Sequence, residues 1–162
     1  MTAQRLRAVA VPLIAVLLLL TAGWLLWDAT SRRGAENAGR DAMAAAQQSI
    51  VAMGSYRPET AKESLTAAGD RLTGAFRDTY TQTVQTVVIP DATGKKMSSV
   101  VTVPAIGVVS AQRDRVVLLA YVNQVLTVGA GAKPDAITTP SRYRVTMDNV
   151  DGRWLIAGFE QI

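Results

Sequence analysis

Hydrophobic and polar positions follow three rhythms along this chain of 162 residues. From Ala8 to Trp27, "AVAVPLIAVLLLLTAGWLLW" runs twenty residues without a charge. At about 1.5 Å per residue such a helix is roughly 30 Å long and matches the hydrocarbon core of a bilayer. A membrane span over 8–27 is therefore expected, preceded by a short tail, 1–7, and followed by one domain, 28–162. Pro12 falls in the first turn of the span, where a missing N–H does little harm. Arg5 and Arg7 at one end and Trp24 and Trp27 at the other suit membrane-interface anchors. A cleaved signal peptide, processed near "TAG" at 21–23, is the competing reading. Apolar residues continue past that point, whereas signal cores usually stop after roughly 7–15 residues.

The rhythm then changes to steps of three and four. Ala35, Ala38, Ala42, Ala46, Ile50 and Met53 make one stripe, while Glu36, Arg40, Gln47 and Gln48 mostly face away from it, which predicts an amphipathic helix. A second helix is expected from "SYRPETAKESLTAAGDRL", with Pro58 at its first position, Thr60 and Glu63 as a capping box, and Ala61, Leu65, Ala68 and Leu72 inside. A third runs from about Gly74 to Val88 on Phe76, Tyr80, Val84 and Val87. It is expected to stop at "IPDATGK", where Pro90 and Gly94 close the helical half.

From Met97 the pattern becomes β-like. "MSSVVTVPAIGVVSA" and the run Arg115–Val128, joined by the short "QRDR" turn, read as a hairpin. "GAGAKPDAITTP" reads as a flexible polar loop. Tyr143, Val145 and Met147 then alternate with Arg142, Arg144 and Thr146, as a half-buried strand requires. The "NVDG" turn leads to a last strand, "RWLIAGFEQI". Three helices packed on a four-stranded antiparallel sheet make an α+β domain.

Within the second strand, Asn123 and Gln124 are adjacent and so point to opposite faces. Val116, Leu118, Ala120, Val122 and Leu126 share a face with Gln124; Val117, Leu119, Tyr121 and Val125 share one with Asn123. Both faces are largely apolar, so cover is expected on both: helices on one, a partner or a curled sheet on the other. Each amide is either bonded to a neighbour or lines a cavity or an interface.

Composition narrows the chemistry. Cysteine and histidine are absent, which removes disulfides, thiol nucleophiles, a lipid-modified cysteine anchor, Cys/His zinc sites and imidazole acid–base catalysis. Residues 28–162 carry 15 Lys or Arg against 13 Asp or Glu, too balanced for a nucleic-acid footprint. Asp148 and Asp151 straddle a turn and read as turn residues. A general base with Tyr121 or Tyr143 as proton donor would need a carboxylate embedded in an apolar strand. Gly129 and Gly131 lack the spacing of a phosphate loop. Arg153 beside Trp154 is a rim charge next to a core aromatic or an interface anchor. No catalytic residue, cofactor site or metal site is expected.

Several segments together resemble a known family. "LTGAFRDTYTQ" at 72–82, "AIGVVSAQRDRVVLLAYVNQ" at 105–124 and "SRYRVTMDNVDGRWLIAGFE" at 141–160, behind a basic N-terminus, an apolar span and an alanine-rich helix, are similar to the Mce-associated membrane proteins of actinobacteria. The resemblance implies a cone-like ectodomain similar to nuclear transport factor 2, as in the periplasmic subunit of type IV secretion systems. It implies a non-enzymatic accessory or stabilising subunit of a mammalian-cell-entry (Mce) lipid or sterol import system, anchored in the inner membrane. The N-terminus would be cytoplasmic and the domain outside, an orientation that the flanking charges do not decide. Mce subunits would be its partners. The alternatives are a module that holds a lipid in the cone cavity and a scaffold like those of secretion systems. Tyr121, Asn123, Gln124, Arg153 and Trp154 are the candidate interface or cavity residues.

Overall fold

The computed structural model describes Thr21, residues 33–129 and residues 135–162. The expected tail, the anchors Arg5, Arg7, Trp24 and Trp27, and all of the expected span but Thr21 lie outside the described residues. Among those residues no helix is long and apolar enough to cross a membrane.

The alanine stripe forms the first helix, α1, over residues 33–54. Ala38, Ala42, Ala46 and Ile50 are all buried against the sheet, and Met53 packs beside them. Small side chains let the helix lie close to the strands. A Cβ built on Gly39 would stand 3.4 Å from a Val108 methyl, and one on Gly54 only 2.5 Å from Val101 Cγ2. These contacts place α1 antiparallel to the first strand.

A turn at residues 55–60 leads into α2, Ala61–Ala68, which tightens into a 3-10 turn, Gly69–Arg71. Tyr56 bridges the first strand here, exchanging backbone hydrogen bonds with Ser99 at 2.9 and 3.0 Å. Ala61, Leu65, Ala68 and Leu72 are buried as the spacing requires. The capping box does not form: Thr60 makes no side-chain bond to the helix start. Pro58 lies in the preceding turn, three residues before the helix begins at Ala61.

The third helix corrects a boundary. After α3, Gly74–Thr83, the chain widens into a π-helical turn, Val84–Val88, and resumes as α4, Ile89–Gly94. The Ile89 N–H donates to the Val84 carbonyl five residues back. Pro90 therefore follows a turn that has already been re-registered, and its missing N–H does not end the helix. The wide turn carries the apolar stripe from buried Val84 through Val88 to buried Ala92, leaving Val87 outside at 53% exposure.

The sheet is an antiparallel meander in the order β1-β2-β3-β4. Its strands are Met97–Ala111, Arg115–Val128, Asp135–Val150 and Arg153–Gln161. The third begins earlier than expected, since 135–140, read as loop, pair with 123–128. Isoleucine and the two threonines there suit a strand. Pro140 is tolerated because β4 does not reach it; the last bond on that side runs from the Ile162 N–H to the Arg142 carbonyl. Asp151 (φ 51°) and Gly152 (φ 81°) make the two-residue turn between β3 and β4, the conformation such a turn favours.

The helices of residues 33–94 lie on one face of the sheet. Val116, Leu118, Ala120, Val145, Met147 and Ile156, each 0% exposed, form the main core with α1 and Leu72. A smaller cluster of Ala61, Leu65, Val84 and Ala92 joins the helices to one another.

Candidate functional site

The two amides part as the strand period demands. Gln124 points toward the helices, where its Nε2 donates to the Oγ of Ser99 at 3.0 Å. Ser99 is itself 1% exposed, so this bond satisfies a buried hydroxyl and answers the cost of placing an amide in an apolar strand. Beside it lies a cleft of about 100 Å³, lined by Ile50, Met53, Val101, Val122, Tyr143 and Phe159 as well as Gln124. Tyr143 stacks on Phe159 with ring centroids 4.1 Å apart, which closes one wall. The cone interior is thus nearly filled.

Asn123 points the other way, with Val117, Leu119, Tyr121 and Val125. Cross-strand pairing sets Thr102 and Pro140 beside Asn123, Ala105 and Arg142 beside Tyr121, and Arg144 beside Leu119. Among the described residues nothing packs over this outer face, and the sheet does not curl back to cover it. Tyr121 is 45% exposed and Val100, on the neighbouring strand, 57%. Arg144 reaches only to Glu160, at 3.9 Å on the same face. The result is an apolar strip along the central strand with cations on one flank, the composition of a contact surface.

Arg153 and Trp154 stand apart from both places. Trp154 is half-buried at the margin of the core, and Arg153 is exposed, its Nη2 donating to the Asp70 carbonyl at 3.2 Å. Their neighbours Gln48, Ser49 and Arg71 line a shallow polar hollow. The five candidate residues therefore fall into three locations: Tyr121 and Asn123 outside the sheet, Gln124 inside, and Arg153 with Trp154 at one margin.

Among the described residues, titratable groups add no reactive pair. Every Asp and Glu among the described residues is exposed or half-buried. Asp148 forms a two-point ion pair with Arg115, Nε to Oδ1 at 2.7 Å and Nη2 to Oδ2 at 2.8 Å. The guanidinium bond holds its carboxyl below the ordinary range against an opposing desolvation. Asp151 occupies the turn, where the neighbouring Asn149 Oδ1 accepts the Gly152 N–H at 3.0 Å. Burial pushes the Tyr80 phenol up to about 12, and it donates toward the Met53 and Leu65 carbonyls; burial, with Asp91 adding to it, also raises the Tyr56 phenol. Among the described residues no group of acidic side chains could hold a metal ion. Gly129 sits at a bend with φ 95°, before a strand rather than a helix.

Sequence reasoning missed Ser99 and the flanking Arg142, Arg144 and Glu160. Ser99 could have been found, because period-two counting from Val101 puts its hydroxyl on the core face. The Glu160 pairing depends on register between strands and leaves no local trace.

"Outer membrane protein Rv1973" of Mycobacterium tuberculosis is 45% identical over 151 residues, 93% of this chain and 92% of that protein. "Uncharacterized protein Rv1362c" of the same species is 32% identical over 158 residues, 94% of this chain and 71% of that protein. The fold is similar to a periplasmic fragment of TraM (TM-score 0.57, 14% identity, 75% of this chain and 95% of that one). It is also similar to the periplasmic domain of DotI (0.56, 13%, 73% and 90%) and to VirB8 of Agrobacterium tumefaciens (0.52, 15%, 74% and 88%). A family model described as "Uncharacterized protein Rv1363c/MT1408-like" matches residues 3–162, and the chain belongs to that family.

Proposed function

We propose that this protein is a single-pass, non-enzymatic accessory subunit of an envelope transport complex, with an Mce lipid or sterol import system as its setting. The segment 8–27 would anchor it in the inner membrane, with the α+β domain outside. The observation that carries the reading is the uncovered outer face of β2, Val117 to Val125, on a domain whose interior is otherwise packed. A surface of that kind is suited to a protein partner.

The interior argues against a lipid held in the cone. The cleft beside Gln124, about 100 Å³, is well below the roughly 300–1,000 Å³ of ordinary ligand pockets. The inner-membrane assignment is favoured over an outer-membrane barrel by the sheet itself. Among the described residues it has four strands, whereas the smallest bacterial barrels need about eight. A secretion-system scaffold is the second reading, favoured by the shared fold of the TraM, DotI and VirB8 domains.

The test is a mild-detergent pull-down of the full-length protein from its native membrane, with mass spectrometry of proteins and lipids. Mce subunits and a transport ATPase are expected with the native chain and should be lost with Tyr121→Glu, a change at an exposed position that leaves the circular dichroism spectrum unaltered. Secretion-channel subunits in their place would favour the scaffold. One stoichiometric lipid with no protein partner would overturn both.

A further inference from the structure

A second apolar surface lies at the opposite end of α1 from the Gln124 cleft. Ala35, Gly39 and Met43, one helical turn apart, form one wall of an open groove of about 540 Å³, and Val108 and Ala111 of β1 form the other. Gly39 leaves the space: its built Cβ would touch Val108 at 3.4 Å and Ala111 at 3.6 Å. The strand is an edge strand here, and its register shifts between Val108 and Ser110. Val109, the extra residue of that bulge, is 64% exposed, and Val108 is 42% exposed. Bulges commonly protect edges from pairing. This one also turns a valine outward beside a groove that is already apolar.

The position of the groove identifies its occupant. It starts at Ala35, two residues after the described part of α1 begins at Arg33. Only residues 28–32 separate Arg33 from the apolar run ending at Trp27. Six Cα steps at about 3.3–3.6 Å each keep the first turn of α1 within roughly 20 Å of the end of that run. Exposed Arg40 lines the groove, and exposed Arg33 and Arg113 lie two residues in sequence from its lining residues Ala35 and Ala111; arginine stems are long enough to reach phosphates while lying on apolar surface. Glu36 and Asp114 offset them in charge, so apolar contact would have to supply the attraction.

We infer that this side of the domain rests on the bilayer, with Val108, Val109 and Met43 in the interfacial layer and lipid chains against the α1/β1 groove. The inference rests on the reading of 8–27 as a membrane span. Contact here would fix the tilt of the domain and direct the outer face of β2 along a set line from the membrane.

The test uses the absence of cysteine. Val109→Cys and, as a distal reference, Ile137→Cys are each labelled with a nitroxide in the full-length chain and reconstituted into phosphatidylcholine–phosphatidylglycerol vesicles. Vesicle flotation in alkaline carbonate first tests the span. Failure to float would overturn the span and this inference together. With the span intact, the label at 109 should collide more with oxygen than with a water-soluble nickel chelate, and the label at 137 should do the reverse. A water-like label at 109 would overturn the bilayer contact alone. A label at 109 immobilised and shielded from both reagents would also overturn it, in favour of a second protein in the groove.

Discussion

Gln124 and Ser99 meet across the β1/β2 pair as amide donor and hydroxyl acceptor, 3.0 Å apart on the helix side of the sheet. Ser99 is 1% exposed, so its hydroxyl cannot turn to bulk water without disturbing the core, whereas Gln124 is half-buried. Ser99→Ala should destabilise the domain by about 0.5–1.5 kcal/mol, the net loss of one hydrogen bond to a half-buried amide. Adding Gln124→Leu should recover much of that loss, since the orphaned group is then removed. Urea denaturation of the two single variants and the double variant tests this. Additive single losses would mean that the contact carries no coupling.

The Arg115–Asp148 pair predicts a limb of acid sensitivity. The hydrogen bond from Arg115 is the main influence lowering the carboxyl's pKa. A carboxyl that titrates lower in the folded chain than in the unfolded one adds stability above its unfolded value, about 3.9, and loses it as pH falls through the folded value. The thermal midpoint of the native chain should therefore fall more steeply between about pH 5 and about pH 2 than that of Asp148→Asn. Parallel curves would assign the acid limb to other carboxylates.

How much of this was legible depends on the range of the interaction. The stripe from Ala35 to Met53 and the alternation at Tyr143, Val145 and Met147 are local consequences of period, and both appear as expected. So do the bounds of β1 and β2, because "QRDR" is too short and polar to be anything but a turn. Pro90 misled because a proline signals an end only in an α register, and the π turn at Val84–Val88 had changed the register. Residues 135–140 misled because Gly129, Gly131 and Pro134 coloured the whole segment as loop, although its threonines and isoleucine pair with β2. Gln124 was recognised as anomalous, but its partner lies 25 residues away, where only tertiary register can place it. The uncovered outer face was half legible: its apolar strip showed in the sequence, and its lack of cover needed the fold.

Tyr80 makes the complementary prediction at high pH. Its phenol is pushed up to about 12 by burial and bridges toward the Met53 carbonyl at 3.2 Å and the Leu65 carbonyl at 3.4 Å, tying the end of α1 to α2. A folded pKa raised above the unfolded value of about 10 means that stability is complete below pH 10 and is lost as pH climbs toward 12. Tyr80→Phe should cost about 0.5–1.5 kcal/mol at neutral pH through the lost hydrogen bond. It should also flatten the alkaline loss. Chemical denaturation at neutral pH and near pH 11 separates the two effects, and an unchanged alkaline slope would move the titrating group elsewhere.

Gly54 offers the sharpest steric test because a single methyl decides it. A Cβ there would stand 2.5 Å from Val101 Cγ2, and Val101 is 6% exposed within the main core. Helix propensity alone favours alanine over glycine by up to about 1 kcal/mol. Crowding of a packed core costs about 1–3 kcal/mol in the other direction, because a side chain must leave its rotamer or α1 must lift from the sheet. The clash should win, so Gly54→Ala is expected to lower the denaturation midpoint. In Gly54→Ala/Val101→Ala the clashing methyls are gone, and the alanine at 54 should no longer cost anything relative to Val101→Ala alone. If Gly54→Ala stabilised the protein by itself, α1 would have room to move off β1 at this end. The close approach of helix and strand would then be a preference of packing and not a constraint of the fold.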